Sequence, residues 1–430
     1  MNKSNSSFKA TLLSSLGAGF EYYDFIIYGM MAEFLSTLFF ANDEPWIGTL
    51  KAFALFAVGY LARPFGGIFF GMVADTFGRK RVFISVMLLM AVATFSIGLL
   101  PTYQKMGGIA SLLLVFLRIL QGLSFGAELP GAITVACEYS AKNRRGGNSG
   151  IVIASTSIGA MVASLILFVL TGVMTNGQIL NWGWRIPFLL GGILAVANYF
   201  IRKHLQETPE FIEAQKFRPL KKDFMEPLFC LLKQYRIELL QGIGMTVFLS
   251  SLVIQVLYFP TLLKAHFGYS SSDIYLAMLC SMIWSALTLP LCGLLSDSIG
   301  KRELFKRTAI VYILGVFPLF SILDLHTFSS LLFFMCVYQT FISFASVCYF
   351  PILVEIFPTN IRYTGVAACY NITYSLMSTL PLLLTALIRY SETPLSLVWV
   401  AITCATVTCI ALFSRQPIHV VPVEFLGTIP

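Results

Sequence analysis

Apolar residues run through this chain in long stretches broken by short polar ones. A hydrocarbon layer about 30 Å thick, crossed at about 1.5 Å per residue, requires about 20 residues of helix. Twelve stretches meet that length: 12–38, 49–74, 82–101, 109–137, 149–173, 183–202, 237–263, 274–296, 305–323, 328–354, 365–388 and 395–413. The pattern predicts an all-α membrane protein of twelve transmembrane helices. After the sixth stretch comes the longest polar segment, containing KHLQETPEFIEAQKFRPLKKDF and broken by Pro209, Pro219 and Pro227. It divides the chain into an N-terminal six-helix bundle over 1–202, a linker over 203–236 and a C-terminal six-helix bundle over 237–430.

The two halves echo each other. GMVADTFGRKR at 71–81 recurs as GLLSDSIGKRE at 293–303, an offset of 222, and EYSAKNRRG at 138–146 recurs as EIFPTNIRY at 355–363, an offset of 217. Each echo falls at the same inter-helix loop of its half, which marks a duplication. Two pseudo-symmetric bundles about an axis along the membrane normal, with a central site between them, are the architecture this implies.

Composition agrees, at 57% hydrophobic and 12% charged with mean hydropathy +0.80, against about 25% charged in an ordinary soluble domain. The net charge of +8 raises the question of nucleic acid, and the placement of the bases answers it. Of 29 Lys and Arg, 22 lie in the N-terminus, the even-numbered loops and the C-terminus; 5 lie on the other side (Lys51, Lys105, Arg185, Lys264, Arg389), and 2, Arg63 and Arg118, fall inside helices. The positive-inside bias places both termini in the cytoplasm and makes the basic charge a matter of topology, with no nucleic-acid partner. The first apolar stretch carries two acids and has no small-residue cleavage site, so it is expected to remain as a helix. Nine cysteines without a CxxC spacing read as small buried hydrophobes. His204, His266, His326 and His419 fall near or beyond helix ends, so no metal site is expected. No nucleotide-binding glycine loop, metal-ligand set or nucleophile–base pairing is visible; neither an enzyme nor a cofactor is expected.

Candidate chemistry lies in charges where none belong. A charge at mid-bilayer costs about 2.5 to 3.5 kcal/mol even on the lenient insertion scale, so it should face a cavity or a partner. Glu21, Asp24, Arg63, Arg118 and Glu128 all lie roughly 14 to 20 Å from a helix end, counted at about 1.5 Å per residue. Glu21, Asp24 and Tyr28 share one helical face, as do Arg118, Gln121, Phe125 and Glu128. These stripes are expected to converge on one site that binds a small polar solute and exchanges a proton. Asp24 is the first candidate as proton carrier and Glu21 the second. Arg118 matches a solute carboxylate, because a guanidinium can grip it with two parallel bonds. Gln255, Tyr258, Tyr349, Asn371 and Tyr374 offer neutral contacts from the other half.

The loop from Gly71 to Lys80, GMVADTFGRK, resembles the helix 2–3 signature of the major facilitator superfamily. More narrowly, EYYDFIIYG, RPFGG, RILQGLSFGAE, WGWRIPF, LQETPEF and FPTNIRYTG resemble, in order and spacing, the metabolite:proton symporter family of bacterial proline/betaine, dicarboxylate, citrate and shikimate transporters. The resemblance covers nearly the whole chain and implies a monomeric secondary transporter of the bacterial inner membrane, taking up an amino acid, betaine or organic acid with protons by alternating access. Departures are Tyr22, where the family usually has Trp, and Leu129–Pro130 in GAELPGA. The chain also stops soon after the twelfth stretch, without the coiled-coil tail of one osmosensing branch.

The repeated motifs supply candidate gate residues: Gly71, Asp75, Gly78, Arg79, Glu138 and Arg145 in the first half, Asp297, Lys301, Glu355 and Arg362 in the second. An Asp at the end of one helix can accept hydrogen bonds from the N-terminus of its neighbour, while Arg79 or Lys301 meets Glu138 or Glu355. The resemblance implies that this network latches the cytoplasmic side. Gly122 and Gly126 allow close helix packing, and Trp182 and Trp184 are expected to anchor the outer membrane interface. An exporter of drugs or siderophore-like compounds is a rival reading, opposed by Ala163 and Ser164 where the exporter signature of helix 5 has Gly-Pro. A non-transporting sensor is opposed by the retained gate motifs.

Overall fold

The computed structural model describes residues 3–40, 45–203, 206–216, 223–391, 393 and 395–414. Of the residues named or counted above, His204, Pro219, His419 and several linker and tail bases, Arg415 among them, lie outside the described residues. Among the described residues, twelve helices follow the twelve apolar stretches: α1 (Lys3–Met30), α2 (Pro45–Phe77), α3 (Arg79–Leu99), α4 (Gly108–Tyr139), α5 (Arg145–Val173), α6 (Arg185–Arg202), α7 (Arg236–Phe267), α8 (Ser271–Ile299), α9 (Lys301–Ser321), α10 (Phe328–Ile356), α11 (Arg362–Met377) and α12 (Ser396–Phe413). Ala32–Phe39 prolongs α1, and Leu380–Ser391 prolongs α11. Helices suit this sequence because a helix satisfies its own backbone polar groups where no water is present. Among the described residues, eight helices are individually long and apolar enough to cross a membrane, and Asn176–Gly183 with Arg185–Phe200, bent by 46°, makes a ninth crossing. The remaining crossings are α1, α2 and α11.

The helices form two pseudo-symmetric bundles of six. They meet through two equivalent pairs, α2 on α11 and α8 on α5. We call the side that carries the α2–α3 and α8–α9 turns and the linker the linker face. Gly78 and Gly300 make those turns with φ of +115° and +101°, a region that a side chain makes costly. They occupy the same place in the repeated motif, so the duplication preserved the turn as well as the charges.

Close packing in the first bundle relies on absent side chains. A Cβ on Gly126 of α4 would lie 2.2 Å from the carbonyl oxygen of Arg63 on α2, and one on Gly122 would lie 2.4 Å from that of Gly59. Gly126→Val therefore forces α2 and α4 apart, at a cost of about 1 to 3 kcal/mol or more for an overpacked site. We expect a lower unfolding temperature in detergent. Gly172→Val should leave that temperature unchanged, since nothing lies within 4 Å of its added Cβ.

The two tryptophans expected at the interface separate. Trp184 is fully buried, edge-on to Phe39 at 5.6 Å, whereas Trp182 is 53% exposed. Residues two apart on a helical turn point in nearly opposite directions, so a shared anchoring role was not available to this pair.

Candidate functional site

Ser14, Gly17, Glu21, Asp24 and Tyr28 recur along α1 at spacings of three and four, which puts them on one face, and all are buried. Opposite that face run α3, α4 and α6. Arg118 Nη1 donates to Gln121 Oε1 at 2.8 Å, Gln121 Nε2 donates to Thr94 Oγ1 at 2.8 Å, and Thr94 Oγ1 donates to Asp24 Oδ2 at 3.2 Å. Three hydrogen bonds thus connect a buried guanidinium to a buried carboxylate. Arg118 also stacks on Tyr28, its guanidinium carbon 3.7 Å from the ring centre. Asp24 Oδ1 turns toward α6 at Gly191, where a Cβ would lie 2.3 Å from it.

Glu128 does not join this layer. It forms a fully buried ion pair with Arg202, the last residue of α6. Arg202 lies over the Phe83 ring at 3.8 Å and reaches the Ser14 carbonyl at 3.4 Å through the space that Gly17 leaves open. The expectation of one cluster of five charges is corrected here. Glu128 follows Arg118 by ten residues, about 15 Å along the helix, so the two cannot share a level. The count of bases by loop places Arg202 outside the helices, yet it ends a helix that packs on α3 and α1, and its long side chain reaches across to Glu128. Glu21 sits between the layers: the Ser124 hydroxyl donates to Val86 O at 2.7 Å with Glu21 Oε1 at 3.4 Å, and the charged neighbours of Glu21 are Glu128, Arg202 and Asp24.

Arg63 occupies the side of the first bundle that faces the second. Its guanidinium carbon lies 3.7 Å from the Tyr60 ring centre and 4.1 Å from that of Phe125. Tyr370 and Tyr374 of α11, with ring centres 4.3 Å apart, stand opposite Arg63, Tyr22 and Tyr60. Asn371 Nδ2 donates across the interface to Gly126 O at 2.6 Å and within its own helix to Ala367 O at 2.8 Å. Gln255 Oε1 accepts from Tyr338 at 2.5 Å, and Tyr349 pairs with Thr246 at 2.6 Å; Tyr258 is buried in the second bundle, its hydroxyl accepting from Thr385 Oγ1 at 3.4 Å.

The linker face is closed by a network across both halves. Asp75, near the end of α2, accepts from Tyr363 N at 3.2 Å, Thr364 N at 2.8 Å and Thr364 Oγ1 at 2.7 Å at the start of α11. Asp297, near the end of α8, accepts from Gly146 N and Gly147 N, both at 2.8 Å, at the start of α5. Each carboxylate meets the positive end of a helix dipole from the opposite half. Gly71 packs against Thr364, where a Cβ would lie 2.8 Å from its Cα. Glu138 binds Arg79 at 3.3 Å within its own half and Arg362 at 2.9 Å from the other. Its counterpart Glu355 binds Lys301 at 2.6 Å and, across the interface, Arg145 at 3.3 Å.

A Major Facilitator Superfamily model matches residues 13–381. The chain belongs to the Major Facilitator Superfamily. It is 30% identical to the proline/betaine transporter of Escherichia coli (strain K12), over 89% of this chain and 78% of that protein. It is also 30% identical to the citrate-proton symporter of Klebsiella pneumoniae, over 89% of this chain and 86% of that one. The solved structure of the proton:xylose symporter XylE bound to 6-bromo-6-deoxy-D-glucose superposes with a TM-score of 0.77 at 17% identity, covering 95% of each chain. This member of the superfamily is therefore a secondary transporter of small solutes in a membrane and not an enzyme.

Part of the network in this superfamily member was hidden in the linker. Glu207 accepts from Arg79 N at 3.1 Å and Lys80 N at 3.2 Å, capping α3. Thr208 donates to Glu138 at 2.5 Å. Glu210 bridges the halves, binding Arg145 at 2.6 Å and Arg362 at 2.5 Å. All three belong to LQETPEF, quoted above only as a mark of resemblance. Its one sequence signal was Pro209, which opens the short helix Pro209–Gln215 in the first-turn position that proline favours.

Proposed function

We propose that this chain imports a small carboxylate-bearing solute together with protons, and that the hydrogen-bonded line from Arg118 to Asp24 is what couples them. Among the described residues, six charged side chains are buried in the first bundle away from the linker-face network: Glu21, Asp24 and Glu128 against Arg63, Arg118 and Arg202. With all six ionised they balance. An anionic solute entering this low-dielectric region unbalances them, and a proton on Asp24 restores neutrality; unmatched charge at this depth is costly. Solute and proton thus favour each other's binding. Arg63 faces the second bundle between two aromatic rings and receives the solute carboxylate, with Tyr370 and Tyr374 opposite. Arg118, whose Nη1 is held by Gln121, polarises the line to Asp24; the sequence expectation had given it the solute.

The linker face is the cytoplasmic one, supported by the placement of 22 of 29 bases on that side and the positive-inside rule. Both termini then lie in the cytoplasm of a bacterial cell, the protein sits in the inner membrane, and it works as a monomer. Two bundles over 1–202 and 237–430 rock about the solute, and the network of Asp75, Asp297, Glu138, Glu355 and the linker acids latches the outward-facing state. Proline and betaine are solutes named for one relative and citrate for another, so these define the first panel.

The test is uptake by the purified protein in liposomes with an alkaline interior. One proton per solute and about one unit of pH supply about 1.4 kcal/mol, enough for about tenfold accumulation. Accumulation of a panel member that a protonophore abolishes is the expected result. Uptake indifferent to the pH gradient would overturn proton coupling.

A further inference from the structure

Between Asp24 and the linker face, α1, α4 and α6 bury more polar atoms than they satisfy. Asn198 of α6 is 1% exposed. It follows Gly191 by seven residues and precedes Arg202 by four, so it shares their face, and that face touches Asp24 at one end and Glu128 and Ser14 at the other. Among the described residues neither amide atom of Asn198 has a hydrogen-bond partner, and the same holds for Asp24 Oδ1, Ser14 Oγ, and Arg202 Nε and Nη1. These atoms are spread along one line through the bundle. Glu21 lies on it between Asp24 and Glu128.

Buried polar groups without protein partners are where internal water sits, typically with about three hydrogen bonds per molecule. We propose that α1, α3, α4 and α6 enclose a water-lined seam inside the first bundle, and that protons pass along it between Asp24 and the linker face. Each transfer breaks one O–H bond and forms another. The proton leaves the Asp24 carboxyl for water or Glu21, crosses water held by Asn198, and emerges beside the Glu128–Arg202 pair. That pair is neutral overall, so a migrating proton does not meet a bare cation. The charged and titratable groups facing the seam are Glu21, Asp24 and Tyr28 from α1, with Tyr23 beside Gly191 donating to Pro187 O at 2.8 Å, Arg118 and Glu128 from α4, Arg202 from α6, and Tyr363 of α11, which donates to Ala127 O at 2.8 Å. The solute would use the space between the bundles and the proton a separate route within one of them. This inference rests on the proposed proton coupling.

Two experiments test it. The first needs no solute. In a full-length variant with its nine cysteines replaced by alanine, Asn198→Cys is exposed to silver ion in liposomes and then denatured and alkylated. Protection of the introduced thiol from alkylation is expected. Val196→Cys, at a lipid-facing position 52% exposed, should stay unprotected. If the Asn198→Cys variant is no better protected than the Val196→Cys variant, the seam is dry and the proposal falls.

The second uses whichever panel solute is accumulated. Asn198→Leu fills the site with apolar volume, interrupting the hydrogen-bonded water, and should lower pH-gradient-driven uptake about tenfold or more with solute counterflow preserved. Asn198→Ser, smaller but polar, should retain coupling. A role in packing alone predicts the reverse, with leucine tolerated and serine damaging, and that pattern would overturn the route. If no panel solute is accumulated by the unmodified protein, the transport reading fails in that assay, and the silver result still decides whether the seam is hydrated.

Discussion

Asp24→Asn should abolish proton-driven accumulation and leave solute exchange running. Asparagine keeps the shape of a protonated aspartic acid and can still accept from Thr94, so the line through Gln121 to Arg118 survives. What disappears is the ability to hold and release a proton. The variant behaves as though permanently protonated, and charge balance then favours anionic solute in both halves of the cycle. Counterflow, in which labelled solute exchanges for unlabelled without net proton movement, should stay within about twofold of the unmodified protein. Accumulation should collapse from about tenfold per unit of pH gradient to none. Thr94→Val separates the carrier from the line: it leaves Gln121 and Asp24 each short of a partner, at about 1 to 3 kcal/mol per unmet buried group. Coupling should weaken there but persist. Full pH-driven accumulation by Asp24→Asn would remove Asp24 from the mechanism and return attention to Glu21.

Glu138→Gln should release the linker face. Glu138 is buried and holds Arg79, Arg362 and Thr208 together. Removing one partner from a buried ion pair leaves uncompensated charge and costs about 3 to 5 kcal/mol. The cost falls on the closed arrangement, since parting of the bundles lets water reach both arginines. A bias of about 3 kcal/mol moves a two-state equilibrium on the order of a hundredfold. Spin labels on the linker-face ends of α4 and α10 should report a distance distribution shifted toward the separated state, with net transport slowed because the return to the closed state becomes unfavourable. An unchanged distribution, with the protein folded and inserted, would mean that the two Asp–helix contacts and the Glu355 and Glu210 ion pairs hold this face shut without Glu138.

The sequence carried the fold well because the bilayer imposes a length and a polarity on every crossing. All twelve apolar stretches became helices, and the duplicated GMVADTFGRKR and GLLSDSIGKRE mark equivalent turns. The repeat also paired Asp75 with Asp297 and Glu138 with Glu355, and each pair occupies equivalent surroundings. Legibility declined where contacts depend on how helices are rotated and how deep they sit. Glu128 shares a stripe with Arg118, yet its partner, Arg202, is the last residue of the sixth stretch, where a base reads as belonging to the adjoining loop. Thr94 had no charge to draw attention, but it joins Gln121 to Asp24 in the line of hydrogen bonds described above. Glu207, Thr208 and Glu210 looked like solvated linker residues because nothing in a sequence shows a short segment folding back beneath a bundle.

Among the described residues, the six charges buried in the membrane interior all belong to the first bundle, and the second presents Tyr370, Tyr374 and Asn371 across the interface. The distribution bears on the cost of motion. When the bundles rock, the contacts that part deep in the bilayer are aromatic faces and neutral hydrogen bonds such as Asn371 to Gly126. Among the described residues, opposite charges are pulled apart only at the linker face, at Glu138–Arg362, Glu355–Arg145 and Glu210, where incoming solvent rehydrates each ion as it is exposed. The reorientation barrier is thereby spared the step the bilayer penalises most, and the energy of ion separation is confined to a surface where ionic strength and local pH can adjust it.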